Sequence, residues 1–175
     1  MPSMEKITGE LAALATGVQR AQGQAGAAEH QAQDVPRRAT AAGFAAVAAG
    51  MTRVQGAIAQ IRGGLSTLAG VIEQAIRATT GVAQQPSLQE TIAAMASVRT
   101  GVDGIRETAG AVIAQIGQAQ QLVTAALQGG QPGPLLQALD GIRQVVAQMA
   151  QQAGTVLQTV DAVVAQAAQL GTLGN

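Results

Sequence analysis

Apolar residues recur in this chain at alternating spacings of three and four, and they do so over four long stretches. The first runs Met4, Ile7, Leu11, Leu14, Val18, Ala21, Ala25, Ala28, Ala32, Val35. The second runs Phe44, Val47, Met51, Val54, Ile58, Ile61, Leu65, Leu68, Ile72, without a miss. Val98, Val102, Ile105, Ala109, Val112, Ile116, Ala119, Val123 form the third, and Leu139, Ile142, Val146, Met149, Ala153, Val156, Val160, Val163, Ala167, Leu170 the fourth. That spacing lays one apolar stripe along a helix, the seam of a coiled coil. Strand alternation fits none of the four, so the chain is expected to be all-α, with helices of roughly 35 residues, about 50 Å each at 1.5 Å per residue.

The breaks between the stripes carry turn chemistry. Gly81 to Pro86 separates the halves, and Ser87-Leu88-Gln89-Glu90 reads as a capping box opening the third helix. Ser3 is placed to cap the first helix, with Glu5 in its first turn. Gly129 to Pro134 stops the third helix and restarts the fourth. For the first hairpin two turns compete: Gly43, just before Phe44, and Asp34-Val35-Pro36, because an interior proline costs about 3 kcal/mol in a helix.

The two halves resemble one another. Leu11 to Val18 aligns with Met95 to Val102 at an offset of 84, and Gly50, Gln60 and Gly63 align with Gly141, Gln151 and Gly154 at an offset of 91. The second half is thus longer by seven residues around its hairpin turn, an insertion that keeps heptad phase. This predicts a tandem duplication of one antiparallel helical hairpin: repeat 1 over 1–80, a linker over 81–87, repeat 2 over 88–171 and a tail over 172–175. Matched helix lengths favour the turn at Gly43, leaving Pro36 as a kink. Seams rich in Ala bury little area, so two helices alone are marginal. The widened faces at Val145-Val146, Val156-Leu157 and Val163-Val164 suit docking of the hairpins into an elongated four-helix bundle.

Composition bears on function by exclusion. The 175 residues hold ten basic and ten acidic side chains, no Cys, Trp or Tyr, and a single aromatic ring, Phe44. With no basic excess and no stacking rings, nucleic-acid binding is not expected. Without Cys there is no thiolate chemistry, and the redox compartment cannot be inferred. Beyond Thr108 only Asp140, Arg143 and Asp161 are charged, and Ala (38) and Gln (25) take the outer positions where Lys and Glu would be usual. So neutral a surface offers little repulsion against docking of other helices.

Glu5, Thr8, Gly9 and Glu10 fall where the apolar stretch of a secretory signal would lie. The longest uncharged run, between Glu107 and Asp140, contains Gln115, Gln118, Gln120 and Gln121 and ends in the Gly/Pro turn, so no transmembrane helix is expected there. A cytoplasmic location is the expectation, with leaderless export left open.

Candidate chemistry is sparse. His30, with Glu29 and Asp34 on neighbouring turns, is one imidazole with two carboxylates and no second His, which a solvated helix face explains better than a metal site. Arg37-Arg38 after Pro36 reads as solvated, not as a phosphate contact. Arg20 with Gln24 and Asp140 with Arg143 read as surface pairs. Gly101-Val-Asp-Gly104 lacks the Lys and Ser/Thr of a phosphate loop. Ser66, Thr67 and Thr155 have no histidine to activate them. No catalytic, metal or cofactor-binding residue is therefore assigned, no cofactor or small-molecule substrate is implied, and no enzyme is expected. Phe44, at the tip of the first hairpin, is expected to plug the end of the bundle; the competing role is an exposed anchor.

Ile7-Thr-Gly-Glu-Leu-Ala-Ala-Leu14, Ala42-Gly-Phe-Ala45 with Ala48-Ala-Gly-Met51, and Leu127-Gln-Gly-Gly-Gln-Pro-Gly-Pro134 with Ile142-Arg143-Gln144 resemble an uncharacterised actinobacterial Ala- and Gly-rich family of unknown function. That resemblance implies no activity. A looser, architectural likeness is to the helical-hairpin proteins of type VII secretion, whose Trp-x-Gly turn and C-terminal Tyr signal are missing here.

The expected function is accordingly that of a non-enzymatic interaction or self-assembly protein, packing helices with its own copies or with another helical protein. The rivals are an exported or accessory protein of a type VII-like system, an amphipathic membrane or granule coat, and a helical pore-forming protein; few flanking Lys residues argue against the coat.

Overall fold

The computed structural model describes residues 2–82, 84–85 and 87–173, leaving out the side chains of residues 2, 3, 172 and 173. Four helices account for nearly all of it: α1 (Pro2–Ala41), α2 (Ala45–Val82), α3 (Leu88–Ala126) and α4 (Gly133–Leu173). At 38 to 41 residues they are longer than the expected 35, about 60 Å each. Each helix packs against its neighbours in the cycle α1–α2–α3–α4–α1 and not across the diagonal. The result is an antiparallel four-helix bundle made of two hairpins.

The stripes are the core. Ile7 to Ala32 on α1, Met51 to Ile72 on α2, Val98 to Val123 on α3 and Leu139 to Val160 on α4 are buried at the seam positions, joined by Ala75, Val82, Met95 and Leu135. The widened face also holds: Leu157 is buried, while Val145, Val163 and Val164 pack against the core from its margin. Thr79 is the one buried polar side chain among the described residues, and its Oγ1 donates to Ala75 O at 2.8 Å. Exposed threonines behave alike. Thr8, Thr52, Thr67, Thr100, Thr124 and Thr159 each donate to the carbonyl four residues back.

The first turn falls at Gly43. Its φ of +83° is the left-handed conformation that favours glycine, and Phe44 N–H bonds Ala39 O (2.8 Å) while Gly43 N–H bonds Thr40 O (3.1 Å). These are the paired bonds of a Schellman stop. Gly129, at φ +86°, closes the second hairpin. Pro36 sits inside α1. Proline has no N–H to offer the carbonyl four residues back, here Ala32. Gln55 of α2 supplies the missing donor, its Nε2 lying 3.1 Å from Ala32 O. Ser87 caps α3: its Oγ accepts from Glu90 N–H (3.2 Å) and donates to Glu90 Oε2 (2.7 Å), so the glutamate closes on the hydroxyl and not on the cap's backbone. Ser3 does not mark the start of α1, which begins one residue earlier at Pro2, a residue suited to the first helical position. Pro86, part of the expected break, lies outside the described residues.

Within each hairpin the helices are level, but the hairpins are staggered. A Cβ placed on Gly50 would lie 2.7 Å from Ala126 Cβ, so the sixth residue of α2 faces the last residue of α3. Hence α2 overhangs α3 at the turn end by five residues, about 8 Å. At the other end Gly101 faces Ala75, and α3 overhangs α2 by six residues, about 9 Å. Gly17 against Met149 shows the same sense of offset between α1 and α4. Burial follows the stagger. Leu127 and Leu135, at the tip of the α3–α4 hairpin, are buried against its neighbour, whereas residues 40–46 at the other tip are exposed.

Candidate functional site

Residues with potential for chemistry are scattered. His30 is exposed on α1 and Asp34 is exposed one turn on, while Glu29 forms an ion pair with Arg62 that ties α1 to α2. Among the described residues no group of three His, Asp or Glu side chains is placed to hold a metal. Arg37 and Arg38 are exposed near the turn. Thr67 and Thr155 turn their hydroxyls back on Gly63 O and Gln151 O, and Ser66 is exposed.

Two expected surface pairs are replaced. Asp140 accepts from Gln144 Nε2 at 3.0 Å instead of engaging Arg143. Gln24 lies half buried towards Gly141 of α4, away from a surface contact with Arg20, and its Oε1 is buried without a partner. The second ion pair between helices, Arg99 with Asp161 at 3.3 Å, joins α3 to α4. Neither it nor Arg62–Glu29 was visible in the sequence, because partners on different helices carry no spacing signal.

Gly101 and Gly104 line no phosphate loop. They lie inside α3, where an added Cβ would meet Ala75 Cβ at 3.2 Å and Val71 Cγ1 at 3.3 Å. Their smallness lets α3 approach α2.

Phe44 does not plug the bundle. It is 62% exposed, and the stagger supplies the reason: the hairpin-1 tip projects past the hairpin-2 tip, so nothing stands opposite the ring. Leu170, the last residue of the fourth stripe, is 55% exposed at the opposite end, where the second hairpin projects, and Leu88 beside it is 40% exposed. These are the large hydrophobic side chains that the described residues expose, and all three lie at bundle ends. Under the first overhang, the step where α3 stops against α2 forms a shallow groove lined by Val47, Gly50, Leu122, Ala126 and Arg53.

The lateral surface is plain by contrast. Between Gln144 and Gly171, α4 has one charged residue, Asp161, already engaged by Arg99. Its exposed positions include Gln144, Gln148, Gln151, Gln152, Gln158 and Ala165. Among the described residues no helix is long and apolar enough to cross a membrane.

No curated protein and no solved structure matches the chain. Residues 86–172, the α3–α4 hairpin with its capping turn, match the family model described as "Family of unknown function (DUF6244)".

Proposed function

We propose that this is a non-enzymatic protein that acts by packing helices, against its own copies or against another helical protein, with the hairpin, present twice, as its unit. The observation that carries this reading is the outer face of α4, a long surface of Gln and Ala with one charge, itself paired. A surface of that kind offers no like-charge repulsion to an incoming helix, and its small side chains permit close approach. The correspondence of one hairpin with one family model supports the hairpin as the unit.

Size-exclusion chromatography with light scattering over a wide dilution series tests the reading. Mass rising with concentration is the expected result, and a monomer throughout directs the search to a helical partner. The reading fails if charging the α4 face (Gln148→Glu with Gln152→Lys) alters neither that profile nor the complexes cross-linked in the producing cell.

A further inference from the structure

The geometry points to head-to-tail assembly of the bundle, in which the overhanging tip of the first hairpin, carrying Phe44, laps onto the overhanging Leu88–Leu170 end of a second copy of this chain. This rests on the packing function proposed above and adds to its lateral α4 face a second contact, at the bundle ends.

Three observations converge. The first is shape. Hairpin 1 projects at the turn end and hairpin 2 at the other, so each end is a step and the two steps are complementary. Translation along the bundle axis, without rotation, sets the projecting α2 of one copy beside the projecting α3 of the next. The next copy's α3 then meets the α3–α4 loop that follows Ala126, where Leu127 is buried and Gln128 lines the groove, so the two copies touch beside the projecting tip and not along a continued helix seam.

The second is apolar exposure. Phe44 begins the α2 stripe and Leu170 ends the α4 stripe; the stagger leaves both uncovered within one copy, while Val47, next in the α2 stripe, is half-buried against the core. Lapping covers Phe44 with Leu88 and Leu170 and fills the groove beside Gly50 and Leu122.

The third is charge. Within three turns of the turn end lie Arg37, Arg38, Arg53 and Arg143 against Asp34 and Asp140, four cations to two anions. Within three turns of the other end lie Glu5, Glu10, Glu73 and Glu90 against Lys6 and Arg77, four anions to two cations. Two helices begin and two finish at each end, so their macrodipoles cancel and these side chains set the sign. Opposite ends attract and like ends repel.

Such a contact joins two different surfaces, so it repeats without closing and builds an open filament. An end about 20 Å across plus the lap buries about 600 Å² per partner, below the size of a standard stable interface. Association is therefore weak, concentration-dependent and reduced by NaCl.

Sedimentation velocity on the full chain, alone and as Phe44→Ser and Leu170→Ser variants, tests the joint. Both side chains are exposed, so each variant keeps its helicity, which circular dichroism checks. The wild type should form an open series of oligomers, and each variant alone should associate about tenfold or more weakly. Mixing the variants should restore a 1:1 dimer and nothing larger, because the mixture holds one intact tip and one intact receiving end. A wild type that stays monomeric overturns the joint and leaves the packing function to a different partner. Oligomers indifferent to both substitutions overturn it in favour of lateral self-assembly. A mixture that recovers no dimer overturns the head-to-tail polarity.

Discussion

Towards both ends of the α2–α3 seam the backbones close up around small residues, whereas between α1 and α4 a long side chain fills the gap. On the first seam an added Cβ at Gly50 would lie 3.1 Å from the Ala126 Cα itself, and one at Gly101 would lie 3.2 Å from Ala75 Cβ. On the second, the nearest atoms to a Cβ on Gly17 are Met149 Cγ at 3.1 Å and Sδ at 3.2 Å. Gly17 and Gly101 are equivalent under the offset of 84 between the halves, so similar glycines meet a backbone-bound methyl in one place and a flexible thioether in the other. Backbone against backbone has no slack. A methionine adapts its three rotatable bonds to whatever volume remains. The α2–α3 seam thus holds the axial position of the hairpins, and the α1–α4 seam accommodates it.

The most severe way to break this contrast ignores it. Ile58→Asp on α2 and Met149→Asp on α4 each bury a carboxylate with no partner, at a cost of several kcal/mol, and both should abolish the cooperative thermal transition followed by circular dichroism. If either variant kept its full helicity and melting temperature, the core assignment would be wrong. Glycine substitutions separate the seams more finely. Gly50→Ala should destabilise by about 1–3 kcal/mol in urea unfolding, since the backbone of the last turn of α3 must move, while Gly17→Ala should fall within about 1 kcal/mol of wild type because Met149 yields. Equal effects would remove the distinction.

Next in size is the repair at Pro36. Gln55→Ala should cost about 1 kcal/mol by leaving Ala32 O without its donor. In a Pro36→Ala background, where the helix supplies its own N–H, the same change should cost less, and a double-mutant cycle reads the difference. The smallest effect belongs to a glycine outside both seams. Gly63 has nothing within 4 Å of its would-be Cβ, so Gly63→Ala should stabilise by about 0.5–1 kcal/mol through helix propensity alone.

Much of this architecture can be read from the residues. Heptad spacing identified the stripes that became the core, and the glycines at 43 and 129 marked the reversals because only an αL residue makes them cheaply. The stagger could not be read in the same way. A heptad pattern is unchanged by sliding one hairpin past another in whole repeats, so periodicity fixes which face is buried and leaves axial position undetermined. What fixes it is where small residues meet, as at Gly50 with Ala126, and such pairs leave no mark in either stretch alone. The expectation that Phe44 seals the bundle failed for this reason, as did the expectation that Leu170 is core. The candidate surface was legible only in outline. Neutral faces were apparent from composition, but the apolar ends emerge once the hairpins are set in place.

The threonines bear on how this surface meets water. Hydroxyls at Thr8, Thr52, Thr67, Thr100, Thr124 and Thr159 have already given their protons to their own helix. Each can still accept from solvent but no longer donates to it. The hydration layer above these turns is therefore tied down by fewer strong hydrogen bonds than the count of hydroxyls suggests, and stripping it away when another helix arrives costs correspondingly little enthalpy.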